Sequence, residues 1–131
     1  MSNNSFLSKI SAQFDVQMNA REWRVDTFNQ LSKDFQLSGV PIDGVSEDYF
    51  LSEIIQVVSR AIQKVKSNKQ QWDNLNYRID VPTNIDIESL SNDELGRLFL
   101  FRCFQKVWII KHYSNSIAKD EPNDSQEHLK P

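Results

Sequence analysis

The chain has 131 residues, a formal net charge of −3, 39% hydrophobic residues and 25% charged residues. This length suits one domain with its own core, and three glycines and four prolines argue against a loop-rich sandwich or barrel. The single cysteine, Cys103, cannot form an internal disulfide, and no basic start precedes a long apolar run at the N-terminus, as a signal peptide would require. We therefore expect one cytoplasmic domain without general affinity for nucleic acid.

Three positions combine a capping side chain with a bracketing pair of apolar residues, which is typical of helix N-termini. The capping residues are Asn19, Ser46 and Ser91. At Asn19 and Ser91, a glutamate three residues later completes a capping box. The sequence therefore predicts an all-α fold, an irregular bundle of about four helices.

The first two predicted helices are amphipathic. Residues 4–16 repeat an apolar residue every four positions, and the helix that Asn19 caps extends to about Gln36. The apolar residues of the first helix are Phe6, Leu7, Ile10 and Phe14, and those of the second are Val25, Phe28, Leu31 and Phe35. Gly39 and Pro41 are expected to end the second helix.

The third predicted helix begins after Ser46 and extends to about residue 73, with an apolar face that includes Ile54, Val58 and Ile62. Apolar and polar residues then alternate through 75–81 and 85–87, which is a strand pattern. A small hairpin and an extended strap both fit. Because an isolated hairpin is only marginally stable in water, we expect a strap at 75–87 with little or no sheet.

The fourth predicted helix extends from Ser91 to about Ser114. It is the longest apolar region, but Arg102 and Lys106 would lie near the middle of a bilayer at about 2.5–3.5 kcal/mol each, so a membrane span is not expected. The helical domain is assigned to residues 1–118. Residues 119–131 are expected to form a disordered polar and acidic tail.

This fourth helix is apolar around most of its circumference. Its apolar arc contains Phe99, Leu100, Cys103, Phe104, Val107 and Ile110. The remaining face contains Arg102, Gln105, Lys106, Ile109 and His112. Such a helix is either central in its own fold or shared with a partner. In the second case these five residues are the predicted partner-binding residues, because basic and apolar residues without acids suit an interface.

Basic residues are separated from acidic ones along the chain. Residues 55–71 and 95–119 contain bases but no acid; the bases are Arg60, Lys64, Lys66, Lys69, Arg97, Arg102, Lys106, Lys111 and Lys119. The helix dipole favours acids near N-termini and bases near C-termini, which explains part of this order. The alternative is a basic surface on the third and fourth helices that binds an acidic segment, a phosphate or nucleic acid.

Few residues suggest reaction chemistry. Cys103 has apolar neighbours, and His112 projects to roughly the opposite side of its helix. One cysteine and two histidines do not form a zinc motif of ordinary spacing, so we expect no metal or cofactor. The favoured function is a non-enzymatic protein-binding module, such as an assembly factor, adaptor or inhibitor, acting on one protein partner or through self-association. The alternatives are a small nucleic-acid-binding regulator and an enzyme whose residues converge only in space.

Overall fold

The computed structural model describes residues 12–42, 44–45 and 48–120, with side chains as far as Tyr113. Within these residues the chain is helical and contains no β-strand, which confirms the predicted all-α fold. A short helix, α1, covers residues 12–17. The longer helices are α2 (Arg21–Leu37), α3 (Leu51–Val65), α4 (Lys69–Ile79) and α5 (Asn92–Asp120), and a 3-10 turn at Ile87–Ser89 precedes α5.

Helix α5 is the central element, since α2, α3 and α4 all pack against it. Its buried hydrophobic residues are Leu95, Phe99, Leu100, Cys103, Phe104 and Val107. Phe14 of α1 lies edge-on to Phe104, with 5.4 Å between ring centroids. Edge-on aromatic pairs contribute about 0.5–1.5 kcal/mol beyond the area they bury. The core is therefore organised around the first half of α5.

The predicted capping box at the start of α5 is confirmed. The Ser91 hydroxyl oxygen accepts a hydrogen bond from the Glu94 N–H at 3.1 Å, and Glu94 Oε1 accepts one from the Ser91 N–H at 2.8 Å. Two of the donors that a helix N-terminus leaves unpaired are thereby satisfied. This fixes the start of the central helix one residue after Ser91.

The predicted cap at Asn19 does not start α2. Helix α2 has Ala20 as its N-cap residue and no capping side chain, so the prediction for Asn19 is wrong; its backbone carbonyl instead accepts a hydrogen bond from Arg24. Ser46 lies outside the described residues. Helix α3 begins only at Leu51, where Glu53 Oε1 accepts the Phe50 N–H at 2.9 Å.

The predicted third helix is two helices, and the first part of the predicted strap, residues 75–79, belongs to the second of them. Helix α3 ends at Val65, and the side chain of Asn68 caps α4 by accepting the Gln71 N–H at 3.1 Å. Leu75 and Ile79 are buried one turn apart on α4, whereas the intervening Tyr77 is 86% exposed. The strap over 75–79 is therefore wrong, because the alternation coincided with a helical spacing of four. Within the predicted strap, residues 80–86 are non-helical and lead into the 3-10 turn.

The ends of the bundle differ from the predicted boundaries. Helix α5 continues to Asp120 instead of ending near Ser114, so residues 119–120 of the predicted tail are helical. Residues 121–131 lie outside the described part of the chain, and the disordered tail stays a prediction there. Of the predicted first helix, residues 12–16 are helical, whereas Phe6, Leu7 and Ile10 lie outside the described residues.

Candidate functional site

Two of the predicted partner-binding residues, Arg102 and Lys106, contact the end of α4. Arg102 donates from Nε to the Asp80 carbonyl oxygen at 2.9 Å and from Nη2 to the Asp80 carboxylate at 3.0 Å. Asp80 ends α4 in the left-handed region, with φ at 64°. Arg102 also donates to Gln105, which fixes both side chains on the helix surface. The guanidinium therefore compensates the carbonyl-rich end of α4.

Lys106 connects three helices. Its ammonium donates to the Asp34 carboxylate on α2 at 3.0 Å and to the Arg78 carbonyl oxygen on α4 at 2.6 Å. Asp34 is only 5% exposed, and Gln30 contacts its other oxygen at 3.4 Å. Burial of a carboxylate is costly without a cationic partner, and Lys106 supplies that charge. Lys106 therefore pairs with a buried acid of α2. The apolar periodicity of α2 did not indicate that Asp34 is buried.

Cys103 adjoins the same ion pair, with its sulfur 3.7 Å from Asp34 Oδ2. Burial raises the pKa of the Cys103 thiol, the Asp34 charge raises it further, and the Lys106 charge opposes the rise. A protonated, fully buried thiol is a poor nucleophile. Cys103 is buried as the sequence predicted and belongs to the core.

Near its far end, α5 packs against the start of α2. Trp108 stacks on Trp23 with 5.7 Å between ring centroids, and Lys111 forms ion pairs with Asp26 at 3.0 Å and Glu22 at 3.4 Å. These contacts raise the pKa of Lys111, mainly through its hydrogen bond with Asp26. Lys111 is therefore held in its charged form against the first two turns of α2.

Large apolar side chains are exposed at this end of α5. Ile109, Ile110 and Tyr113 are 64%, 57% and 67% exposed, and they are three of the seven exposed large hydrophobic residues in the described part of the chain. His112, also exposed, lies with its ring 4.2 Å from that of Trp108. We call Ile109, Ile110, His112 and Tyr113 the α5 end surface.

The five predicted residues therefore fall into two groups. Arg102, Gln105 and Lys106 are half-buried and bonded within the chain, whereas Ile109 and His112 lie on the α5 end surface. The apolar pattern does not single out Tyr113, and Ile110, which it assigns to the apolar arc, is 57% exposed rather than buried. Helix α5 has 29 residues and α2 has 17, so α5 is longer by about 18 Å at 1.5 Å per residue.

Most bases of the proposed basic surface have ion-pair or hydrogen-bond partners within the described part of the chain. Within the described residues, Arg97 pairs with Asp15, Arg102 with Asp80, and Lys106 and Lys111 with acids of α2. On the other helices, Lys69 pairs with Asp73 and Lys66 bonds to Asn92. Local acids therefore offset much of the charge that a polyanion would require.

No grouping of potential metal ligands occurs in the described part of the chain, and none of the described helices is long and apolar enough to cross a membrane. Comparison of the chain with models of protein families finds no match, and comparisons with curated proteins and with solved structures find none either.

Proposed function

We propose that the protein is a non-enzymatic protein-binding module that contacts one protein partner through the α5 end surface. The observation that carries this proposal is the concentration of exposed Ile109, Ile110 and Tyr113 within five residues of one helix. Exposed apolar residues are ordinary when scattered, but a contiguous group is typical of an interaction site.

The partner that this geometry suits best is a helix. The end of α5 is itself helical, and its exposed residues at positions 109, 110 and 113 follow the spacing by which one helix packs on another. Three side chains cannot supply the ~800 Å² per partner of a standard stable interface. A transient contact therefore suits this surface better than a permanent dimer, in keeping with an assembly factor, adaptor or inhibitor.

The polar residues of the bundle also favour binding over catalysis. Cys103 is buried and protonated, Asp34 is neutralised by Lys106, and Glu94 is a capping residue. These side chains stabilise the fold. The nucleic-acid alternative has weaker support because the bases of α5 from Arg97 to Lys111 are ion-paired in the described structure.

Site-specific photo-crosslinking in the native host tests this proposal. A benzophenone amino acid replaces Tyr113 in one variant and Tyr77, which is equally aromatic and 86% exposed on α4, in the matched control. We expect one protein to crosslink at position 113, to be absent at 77, and to be lost when Ile109→Asp is added. The purified partner should then bind the purified protein with measurable affinity.

The proposal fails if positions 113 and 77 capture the same proteins, or if the purified candidate does not bind. Crosslinks only to a second copy of the chain would replace it with self-association. Crosslinks that disappear after nuclease treatment would favour the nucleic-acid alternative.

A further inference from the structure

Arg60 and Lys64 of α3 are exposed and form no ion pair or hydrogen bond within the described residues. They are four residues apart, so they lie on one face of the helix. They line a hollow of about 90 Å³ beside the segment that precedes α3. This volume is below the range of about 300–1,000 Å³ that is common for small-molecule sites, so the hollow suits contact with a protein surface better. The α3 basic hollow consists of Arg60 and Lys64 with the apolar residues Val40, Pro41, Ile42 and Val57.

The turn that leads into α5 carries the opposite charge. Asp86 and Glu88 are exposed, and their carboxylates form no ion pair or hydrogen bond within the described residues. Ile87 lies between them and is partly exposed. We call Asp86, Ile87 and Glu88 the acidic turn. Two carboxylates around an apolar side chain complement two cations around an apolar lining in both charge and hydrophobicity.

The α3 basic hollow and the acidic turn flank the outer face of α3. Lys64 and Lys66 are two residues apart, which turns their side chains by about 200° around the helix axis. Lys64 lines the α3 basic hollow, whereas Lys66 lines a second hollow together with Ile87 and Glu88 of the acidic turn. Lys66 also donates to Asn92 at 2.7 Å, which holds the start of α5 beside the end of α3. One partner surface that lies across the outer face of α3 can therefore contact both patches.

A second copy of the chain supplies such a surface. In a two-fold interface both copies present the same patch, so the α3 basic hollow of each copy faces the acidic turn of the other. All four unpaired charges of each copy then gain a partner of opposite sign. Exposed ion pairs are individually weak and are screened by salt, so this arrangement suits a reversible dimer and not a permanent one.

We propose that the protein forms a weak two-fold dimer in which the α3 basic hollow of each copy binds the acidic turn of the other. The exposed part of Ile87 lies between the two ion-paired carboxylates and covers the apolar lining of the hollow. Ile109 lies about 25 Å along α5 from its first residue, at 1.5 Å per residue. The dimer surface is therefore separate from the α5 end surface, and this proposal does not rest on the proposed function.

Analytical ultracentrifugation of the full chain over about 0.02–1 mM tests the proposal. We expect the average mass to rise with concentration from that of one chain, 15.3 kDa, towards twice that value. The dissociation constant should increase at least about tenfold between about 0.05 and 0.5 M NaCl, because the pairs are exposed.

Charge reversal identifies the surfaces. Arg60→Glu with Lys64→Glu reverses the α3 basic hollow, and Asp86→Lys with Glu88→Lys reverses the acidic turn. Each double variant should be monomeric alone, because its two patches then carry the same sign. An equimolar mixture of the two should recover dimerisation, because every hollow again faces a turn of opposite charge.

Lys33→Glu with Arg78→Glu is the matched control, since both residues are exposed cations outside the α3 basic hollow. It should dimerise normally, and thermal melts should show that all variants are folded. A chain that is monomeric throughout, reversals that leave dimerisation unchanged, or a mixture that stays monomeric would overturn the proposal.

Two further results would assign these residues differently and overturn the dimer. Loss of dimerisation in the variant Ile109→Asp with Tyr113→Asp would place self-association on the α5 end surface. A monomeric chain whose α3 amide NMR signals shift saturably with a single-stranded oligonucleotide would make Arg60 and Lys64 part of a nucleic-acid site.

Discussion

The ammonium of Lys106 lies 3.0 Å from the carboxylate of Asp34, and this pair joins the central helix α5 to α2 inside the bundle. The Asp34 side chain is 7% exposed and that of Lys106 is 27% exposed. The helical projection correctly groups Lys106 with Arg102 and Gln105 on one face of α5. It does not show that Lys106 is half-buried and paired with Asp34. Neutralising Lys106 would leave a buried carboxylate unpaired.

Lys106→Met should lower the free energy of unfolding by about 3 kcal/mol, because it leaves the buried Asp34 carboxylate without a cationic partner. Arg102→Met is the matched control and should cost about 1 kcal/mol or less, since its partner Asp80 is largely exposed. Urea denaturation measures both. Adding Asp34→Asn to Lys106→Met should recover part of the loss, and a double variant as unstable as the sum of the single variants would contradict this account.

Ser91→Ala should destabilise the domain by about 1 kcal/mol through loss of the α5 cap. Asn19→Ala is the matched control, because the side chain of Asn19 does not cap α2 and its contact with Arg24 uses the backbone. Denaturant midpoints should therefore fall for Ser91→Ala and stay nearly unchanged for Asn19→Ala. Equal losses would show that the Ser91 hydrogen bonds do not stabilise the start of α5.

Ser91 and Asn19 show how far a local sequence pattern predicts where a helix begins in this protein. At Ser91, the cap, the glutamate and the apolar pair agree, and the helix starts there. At Asn19 the same pattern is present, but the N-cap residue of α2 is Ala20, and the Asn19 carbonyl oxygen accepts a hydrogen bond from Arg24 of α2. Interactions between segments cannot be deduced from spacing within one segment.

The same limit applies to the candidate site. Periodicity correctly placed Phe99, Phe104 and Cys103 in the core, because their burial follows from one helix face. It could not distinguish Lys106 from Ile109 on the opposite face, since their environments depend on Asp34 and on where α2 begins. A variant that changes both Lys106 and Ile109 would therefore combine a folding defect with a change of the exposed surface.

Phe104→Ala should cost about 3–5 kcal/mol, because it removes a buried ring that contacts Phe14, Trp23 and Trp108. Tyr77→Ala, at an aromatic side chain that is 86% exposed, should change stability by less than about 0.5 kcal/mol. Thermal or chemical melts distinguish the two. A mild effect at Phe104 would contradict the central position of α5.

Cys103 should react slowly with iodoacetamide in the folded protein, even near about pH 9, because burial holds the pKa of its thiol above the usual value. The pKa of the Cys103 thiol is higher in the folded protein than in the unfolded chain. The contribution of this thiol to the free energy of unfolding is therefore fully present below the unfolded thiol's pKa of about 8.5, and it declines as the pH rises beyond that value. Alkylation followed by mass spectrometry, with and without urea, measures the reactivity. Rapid modification without urea would show that the thiol is accessible.

The most direct test of the α5 end surface uses a double variant, Ile109→Asp with Tyr113→Asp, and Tyr77→Asp as its control. Calorimetric titration measures the binding of each variant to the partner identified by crosslinking, and thermal melts measure its stability. We expect the double variant to keep its melting temperature and to bind at least about thirtyfold more weakly, while Tyr77→Asp binds normally. Unchanged affinity, or unfolding as severe as that of Phe104→Ala, would contradict the assignment of this surface as a binding site.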